Sequence, residues 1–428
     1  MGIGSGGDVA KVRLAGQPSP SVANPPADRG GMLHSWHTYP AYRLLLSGTM
    51  AASAAFWMYQ VAIGWLALQL TDSPFFVGLA GFAGGIPFLL FSLPAGVAID
   101  RFDRRAMLLV TQLSVAVVAV ALAVLIGLDA ISPWSLLVLA AASGTTMSLS
   151  FPTRTAIVPS LVERPDLANA IALNSAGQNA MRVVGPSLAG VLIALLGASG
   201  AFAIAAVMQV LALVTAWWVP SSAVEKTGYA GRGGSSLTLG LRIVARDPFL
   251  LALILLALAP TVLVMPYLNL MPVFARDDLD VGSTGLGLLL ASTGLGTVAG
   301  ALSVARSSRL RAGATAQVAM AAAFAILVML FAFTPVVPVA GLLLFAAGWA
   351  SGGFMAINQT AVQLSVDDAV RGRVLSIHLM TWGMLPIGQL ALGALASRVG
   401  TPWAMAAGCS LALACIGLIV RRYPSLRA

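Results

Sequence analysis

The sequence predicts an all-α membrane protein, twelve transmembrane helices arranged in two six-helix halves. Three observations lead there: a composition poor in charge, a dozen long apolar runs, and an internal repeat. Hydrophobic residues make up 58% of the 428 residues and charged residues only 9%, with a mean hydropathy of +0.91. A soluble chain of this length carries roughly a quarter of its residues as charges. Most of the outer surface must therefore face lipid.

Residues 1–37 read as a disordered, polar cytoplasmic tail, rich in Gly, Pro and Ser at its start and lacking the apolar core of a secretory signal. Apolar runs follow at about 44–70, 75–99, 106–128, 134–157, 167–195 and 200–219. A second set falls at about 249–274, 283–304, 314–333, 337–364, 374–397 and 401–420. In lipid, backbone groups must be satisfied within the segment, so runs of this length are helices. Between the sets, 221–246 holds Gly, Ser and most of the local charge, and reads as the linker joining halves 38–220 and 247–422. Residues 423–428 form a second cytoplasmic tail.

Positive charge sets the orientation. With both termini cytoplasmic, 21 of the 24 Lys and Arg fall in cytoplasmic loops, tails or span ends. Arg276 and Arg398 fall outside, and Arg182 lies within a span. The expected location is thus a bacterial-type inner membrane, crossed many times. The formal charge of +9 arises from single basic residues scattered between apolar runs, a topology pattern and not a nucleic-acid face.

Phe151–Gly190 aligns without gaps on Phe354–Gly393, an offset of 203 that superposes Phe151 on Phe354, Leu161 on Leu364, Gly185 on Gly388 and Gly190 on Gly393. Both segments cross from span through basic loop to span in the same register, as a duplicated six-helix unit would.

The connection between the second and third spans reads Gly96-Val-Ala-Ile-Asp100-Arg101-Phe-Asp103-Arg104-Arg105. It resembles the signature cytoplasmic loop of the major facilitator superfamily, Gly-x-x-x-Asp-Arg-x-Gly-Arg-Arg, with Asp103 in place of the second Gly. Gly96 permits close helix approach, and Asp100 suits a neighbouring helix N-terminus. The resemblance implies a major facilitator fold in which Gly96, Asp100, Arg101, Arg104 and Arg105 latch the second span to the eleventh. The equivalent loop of the second half has Val304 where the acid would stand, so no second latch is expected.

The run Phe151-Pro-Thr-Arg154 through Pro159, Glu163, Asp166 and Asn174, followed by Arg182-Val-Val-Gly185-Pro186-Ser-Leu-Ala-Gly190, is similar to the subgroup of enterobactin-exporter and macrolide-efflux proteins. Gly185-Pro186 also resembles the antiporter signature of the fifth span. A bent, small-residue fifth helix suits a gate against the eighth span, rich in Gly294, Gly296 and Gly300. The alternative is plain helix packing.

None of the fifteen acids lies within an apolar run. If protons are the coupling ion, Asp72, Asp100, Asp277 and His378 are the candidate carriers, the last because histidine titrates in the working range. Arg182 lies near mid-membrane, where a charge persists only beside protein, water or ligand partners. Asn174, Gln178 and Asn179 precede it as a polar stripe, while its repeat equivalent is Leu385. Arg182 is either a cavity cation that binds an electronegative substrate or senses a proton elsewhere, or a structural arginine bonded to carbonyls or Gln60. Gln60, Asn269, Asn358, Trp382 and Gln389 complete the set expected to line a substrate pathway.

Enzyme motifs are missing: no His-Glu-x-x-His, no Gly-x-Ser-x-Gly and no phosphate-cradling Gly-x-x-x-x-Gly-Lys. No metal cluster or cofactor motif stands out, and Cys409 and Cys415 lie six apart on one helix, out of disulfide reach. The expected activity is secondary export of small amphipathic compounds, drugs or siderophore-like metabolites, by alternating access in a lipid-embedded monomer with proton antiport. A facilitator or importer on the same fold is the alternative.

Overall fold

The computed structural model describes residue 31 and residues 33–220, 236–307, 314–366 and 368–424. The side chains of 92–101, 236–239, 368, 369, 371, 372, 376 and 379 also lie outside the description. Among the described residues the chain is helical throughout and contains no strand.

The spanning helices are α1 (Pro40–Thr71), α2 (Pro74–Arg101), α3 (Arg104–Gly127), α4 (Pro133–Leu161), then one continuous stretch, Leu167–Trp217. A 51-residue helix would run about 77 Å, more than twice the hydrocarbon core. Gly197 breaks it, at φ 71° and ψ 179°, into α5 (167–196) and α6 (198–217). The second half comprises α7 (Pro248–Asp278), α8 (Gly282–Arg306), α9 (Ala314–Ala332), α10 (Val337–Leu364), α11 (Arg373–Val399) and α12 (Thr401–Arg422). Twelve spans result, six on each side of the 221–235 connection.

An even number of spans leaves both chain ends, and the connections after α2, α4, α6, α8, α10 and α12, at one face of the bundle, the tail end. The opposite face is the distal end. Residues 34–37, read from sequence as part of a loose tail, form a short helix, His34–Thr38. Its Ser35 Oγ donates to Asn169 Oδ1 at 2.7 Å, and Tyr39 Oη donates to Asp166 Oδ2 at 2.7 Å. Those partners lie at the start of α5, so this short helix is pinned to the tail end of the first half. After the connection, Ser236–Arg246 forms a helix whose Gly240 packs on α11, with a Cβ position 3.0 Å from the Arg373 carbonyl oxygen. Asp247 then caps α7, accepting from the backbone N–H groups of Phe249 and Leu250.

The apolar core differs between the two ends. Toward the distal end one buried cluster runs across both halves, joining Met58, Ala189 and Phe202 to Met271, Leu286 and Phe331. Toward the tail end the described core divides. Tyr42, Leu46, Leu108 and Ile157 form one cluster in the first half, and Leu253, Phe354, Val374 and Ile416 form another in the second.

Candidate functional site

Two helix pairs close the distal seam, and they are related by the repeat. A Cβ on Gly190 of α5 would overlap Gly287 Cα of α8. A Cβ on Gly393 of α11 would lie 2.8 Å from Gly78 Cα of α2. Gly190 and Gly393 are 203 apart, the offset of the sequence repeat. One level deeper, Gly294 of α8 meets Val183 of α5, and Gly85 of α2 meets Pro386 of α11; Val183 and Pro386 again differ by 203. Only glycine lets helix backbones approach this closely.

The expected gate of α5 against α8 is therefore assembled from Gly190, Gly287, Val183 and Gly294. Gly185 and Pro186 are buried but face elsewhere: a Cβ on Gly185 would stand 2.6 Å from Trp57 Cβ of α1, within the same half. Gly296 and Gly300 pack on Phe345 and Trp349 of α10, also within their own half.

Polar contacts join the halves at the same end. Asn269 Nδ2 of α7 donates to the Val77 carbonyl of α2 at 2.9 Å. A Cβ on Gly81 would lie 2.7 Å from Asn269 Oδ1 and 2.9 Å from Gln389 Oε1, so both amides converge on α2. Asn269 and Gln389, expected along the pathway, belong instead to the seam. At the distal surface Arg276 pairs with both Asp72, which ends α1 in a left-handed conformation, and Asp277. Its Nη1 also donates to the Leu68 carbonyl. This bridge ties α1 to α7, one helix from each half.

At mid-depth the two halves meet around a charge. Arg182 lies fifteen residues into α5, about 22 Å from the tail end. Its guanidinium carbon is 5.3 Å from the ring centroid of Trp57 on α1 and 5.2 Å from that of Trp382 on α11. Among the described residues no carboxylate pairs with Arg182, and no hydrogen bond joins it to Gln60 or to a backbone carbonyl. The structural alternative raised from sequence, an arginine tied to carbonyls or Gln60, is thus not what the geometry contains.

On the tail side of Arg182, α5 opens out. Asn174 is buried and Gln178 half-buried, while Ser175, Ala176, Asn179 and Ala180 are exposed. On its distal side Gly185, Pro186, Ala189 and Gly190 are all buried. Gln60 of α1 is half-buried on the same level. Asn358, also expected to line a pathway, turns into the second half: it is 1% exposed and donates from Nδ2 to the Leu253 carbonyl of α7 at 3.0 Å. His378 is half-buried in α11, and its Nδ1 has no hydrogen-bond partner.

For the signature loop, the backbone of Gly96, Asp100 and Arg101 is helical within α2, and their side chains lie outside the described residues. Arg104 donates to the Ala156 carbonyl of α4 at 3.3 Å. Arg105 donates to the Val219 and Trp217 carbonyls at 3.0 and 3.1 Å. Both arginines thus hold helix-end carbonyls of the first half. Asp103 caps α3 through its carboxylate and the Ala106 N–H at 2.7 Å, a physical reason for the departure from Gly at this position.

The sequence reading missed a second membrane-embedded arginine. Arg154 was assigned to a cytoplasmic span end, but α4 continues two turns beyond it, and it is buried. Its Nη1 donates to the Gly48 carbonyl at 2.9 Å, and its Nη2 to Gln112 Oε1. Gln209 Nε2 donates to the same oxygen at 2.9 Å, and Gln112 Nε2 to Ser150 Oγ. The network joins α1, α3, α4 and α6, each seven or eight residues from its tail end. A small cavity beside it, lined by Tyr59, Ser143 and Gln209 among others, measures about 20 Å³. That is room for about one water, not for a drug-sized solute.

A family profile described as transmembrane secretion effector matches residues 35–428. The multidrug efflux pump Tap of Mycolicibacterium fortuitum is 28% identical over 400 residues, covering 90% of this chain and 96% of that protein. The staphyloferrin A transporter of Staphylococcus aureus is 24% identical, covering 80% and 86%. The enterobactin exporter of Escherichia coli is 24% identical, covering 90% and 91%. Among solved structures, a bacterial homologue of the lysosomal transporter Spinster, inward-facing and unoccupied, superposes with a TM-score of 0.72 at 15% identity over 90% of this chain and 98% of that one.

Proposed function

Because the chain belongs to the transmembrane secretion effector family of the major facilitator superfamily, we propose that it is a secondary exporter working by alternating access across a bacterial plasma membrane. The observation that carries the reading is the unequal core: continuous across the halves at the distal end, divided in two toward the tail end. A transporter poised to load from the tail side has this form. The distribution of Lys and Arg supports a cytoplasmic assignment for that side, and in this reading the poised state takes solute from the cell interior.

Reversal requires the glycine seams of α5–α8 and α2–α11 and the Asp72–Arg276–Asp277 bridge to part, while the tail ends close. The loop from Gly96 to Arg105 is the proposed tail-side latch, with Asp100 its key acid. Relatives named for multidrug efflux and for the siderophores staphyloferrin A and enterobactin support drugs or siderophore-like metabolites as substrates.

Proton antiport is the proposed energy source, with Asp72, Asp100, Asp277 and His378 as carriers to test. One observation favours facilitated diffusion instead: among the described residues no carboxylate lies in the interior of the bundle. Inside-out vesicles with an imposed pH gradient decide between them. Antiport requires uptake that rises with the gradient and collapses with an uncoupler. Gradient-independent flux establishes the facilitator, and no flux of any candidate compound defeats both.

A further inference from the structure

We infer that the central site selects anionic amphiphiles, compounds that present a carboxylate or a comparable pair of planar anionic oxygens to Arg182 and an apolar ring to Trp57 and Trp382. The inference deepens the exporter reading by naming the substrate class of its site, and it rests on that reading only for the direction of transport.

Two indole rings, one from each half, attract the charge of the guanidinium at 5.3 and 5.2 Å. They do not satisfy its N–H groups. A guanidinium has five donors and no acceptor capacity, and among the described residues none of these donors has an acceptor. Donors left unpaired at mid-membrane are costly, so the fold holds Arg182 where water or a ligand completes it. The other embedded arginine makes the contrast. Arg154 is bonded to a carbonyl and a glutamine of its own half, so acceptors supplied by the first half already hold its guanidinium in place.

Planar oxygen pairs match the guanidinium fork with two parallel hydrogen bonds. A cationic amphiphile would meet like charge, and among the described residues no carboxylate pairs with Arg182 to offer it a counter-ion. The repeat provides an internal control: the position equivalent to Arg182 is Leu385. The charge is therefore no requirement of the six-helix unit itself.

The test uses the purified full chain in detergent and three probes that share one ring: 2-naphthoate, its methyl ester, and 2-naphthylmethylammonium. Isothermal titration, with protein-free micelles subtracted, should give naphthoate the highest affinity. Arg182→Gln should weaken naphthoate at least about tenfold and change the ester less than about threefold. Arg182→Lys should fall between them, since it keeps the charge and loses the fork. It also covers the case in which the glutamine variant fails to fold, which melting temperature reports. Equal or tighter binding of the ammonium probe, naphthoate affinity unchanged in either variant, or no naphthoate binding by folded wild type would each overturn the inference. Binding in detergent needs no gradient. Failure of export in vesicles with intact, Arg182-dependent naphthoate binding would reject the exporter reading and leave this one standing.

Discussion

The distal and tail ends of the bundle are built from the same helices, yet they hold the halves together differently. At the distal end, backbones touch: Gly190 on Gly287 and Gly78 on Gly393, with no side chain between them. At the tail end each half keeps its own apolar core, and the polar contacts formed there by Arg104, Arg105 and Arg154 stay within the first half. Contacts made by bare backbone have an advantage for a gate. They break no buried ion pair on parting, although the apolar cluster around them also spans both halves. The tail-end contacts of these arginines tie helices of the first half to one another, as the proposed alternating-access cycle would require of a half that moves as a unit.

The sharpest way to break this contrast is to fill the distal seam. Gly190→Val should lower flux by more than about tenfold, because helix interfaces built on small residues do not accommodate branched side chains. Cysteines placed near the distal surface should become more reactive in the variant. Wild-type flux would mean that the seam is not a moving contact.

Asp100→Asn addresses the opposite end. A proposed latch acid at a helix N-terminus contributes about 1 kcal/mol or somewhat more, so flux should fall several-fold while tail-side cysteines gain accessibility. Unaltered accessibility would reduce the Gly96–Arg105 loop to a topology signal.

The two embedded arginines sharpen the comparison between fixed and working parts. Arg154→Met removes hydrogen bonds to a charged group, worth about 1.5–3 kcal/mol each, and leaves Gln112 short of a donor. It should lower the melting temperature by several degrees and the yield with it. Arg182→Met should leave the melting temperature within a degree or two and impair transport. Exchanged outcomes would reverse the roles assigned to them.

The smallest effect is expected at Arg276. Asp72 is largely and Asp277 partly exposed there, and exposed pairs contribute about 0–1 kcal/mol. Arg276→Gln should change flux no more than about threefold, with the difference from wild type shrinking as salt rises. A tenfold, salt-independent loss would make Arg276 a residue of the transport cycle itself.

The architecture was largely legible before any coordinates, because lipid leaves a chain few choices: apolar runs of this length had to be helices, and the repeat predicted two alike halves. The site was legible only in part. Arg182 stood out since a single charge in an apolar run has no ordinary explanation. Arg154 did not, because it lies close to the end of the apolar run 134–157 and counts there as a span-end charge, whereas α4 runs on to Leu161. Asn269, Asn358 and Gln389 were readable as polar residues in spans, but not as to which way they turn. That depends on helix rotation, which neighbouring helices set and a uniformly apolar sequence barely encodes.

The turn at Gly197 has a mechanical consequence. Its counterpart in the second half is Gly400, again 203 residues on, and both have positive φ, at 71° and 85°. Each joins the fifth and sixth spans of its half with no loop at all, in a conformation open essentially to glycine alone. A hinge of one residue has no slack. In the proposed cycle a slide of α5 on α8, or of α11 on α2, would draw the following helix along in the same stroke, gearing each proposed gating helix directly to the helix behind it. Loops elsewhere in the bundle can absorb motion; these two joints transmit it.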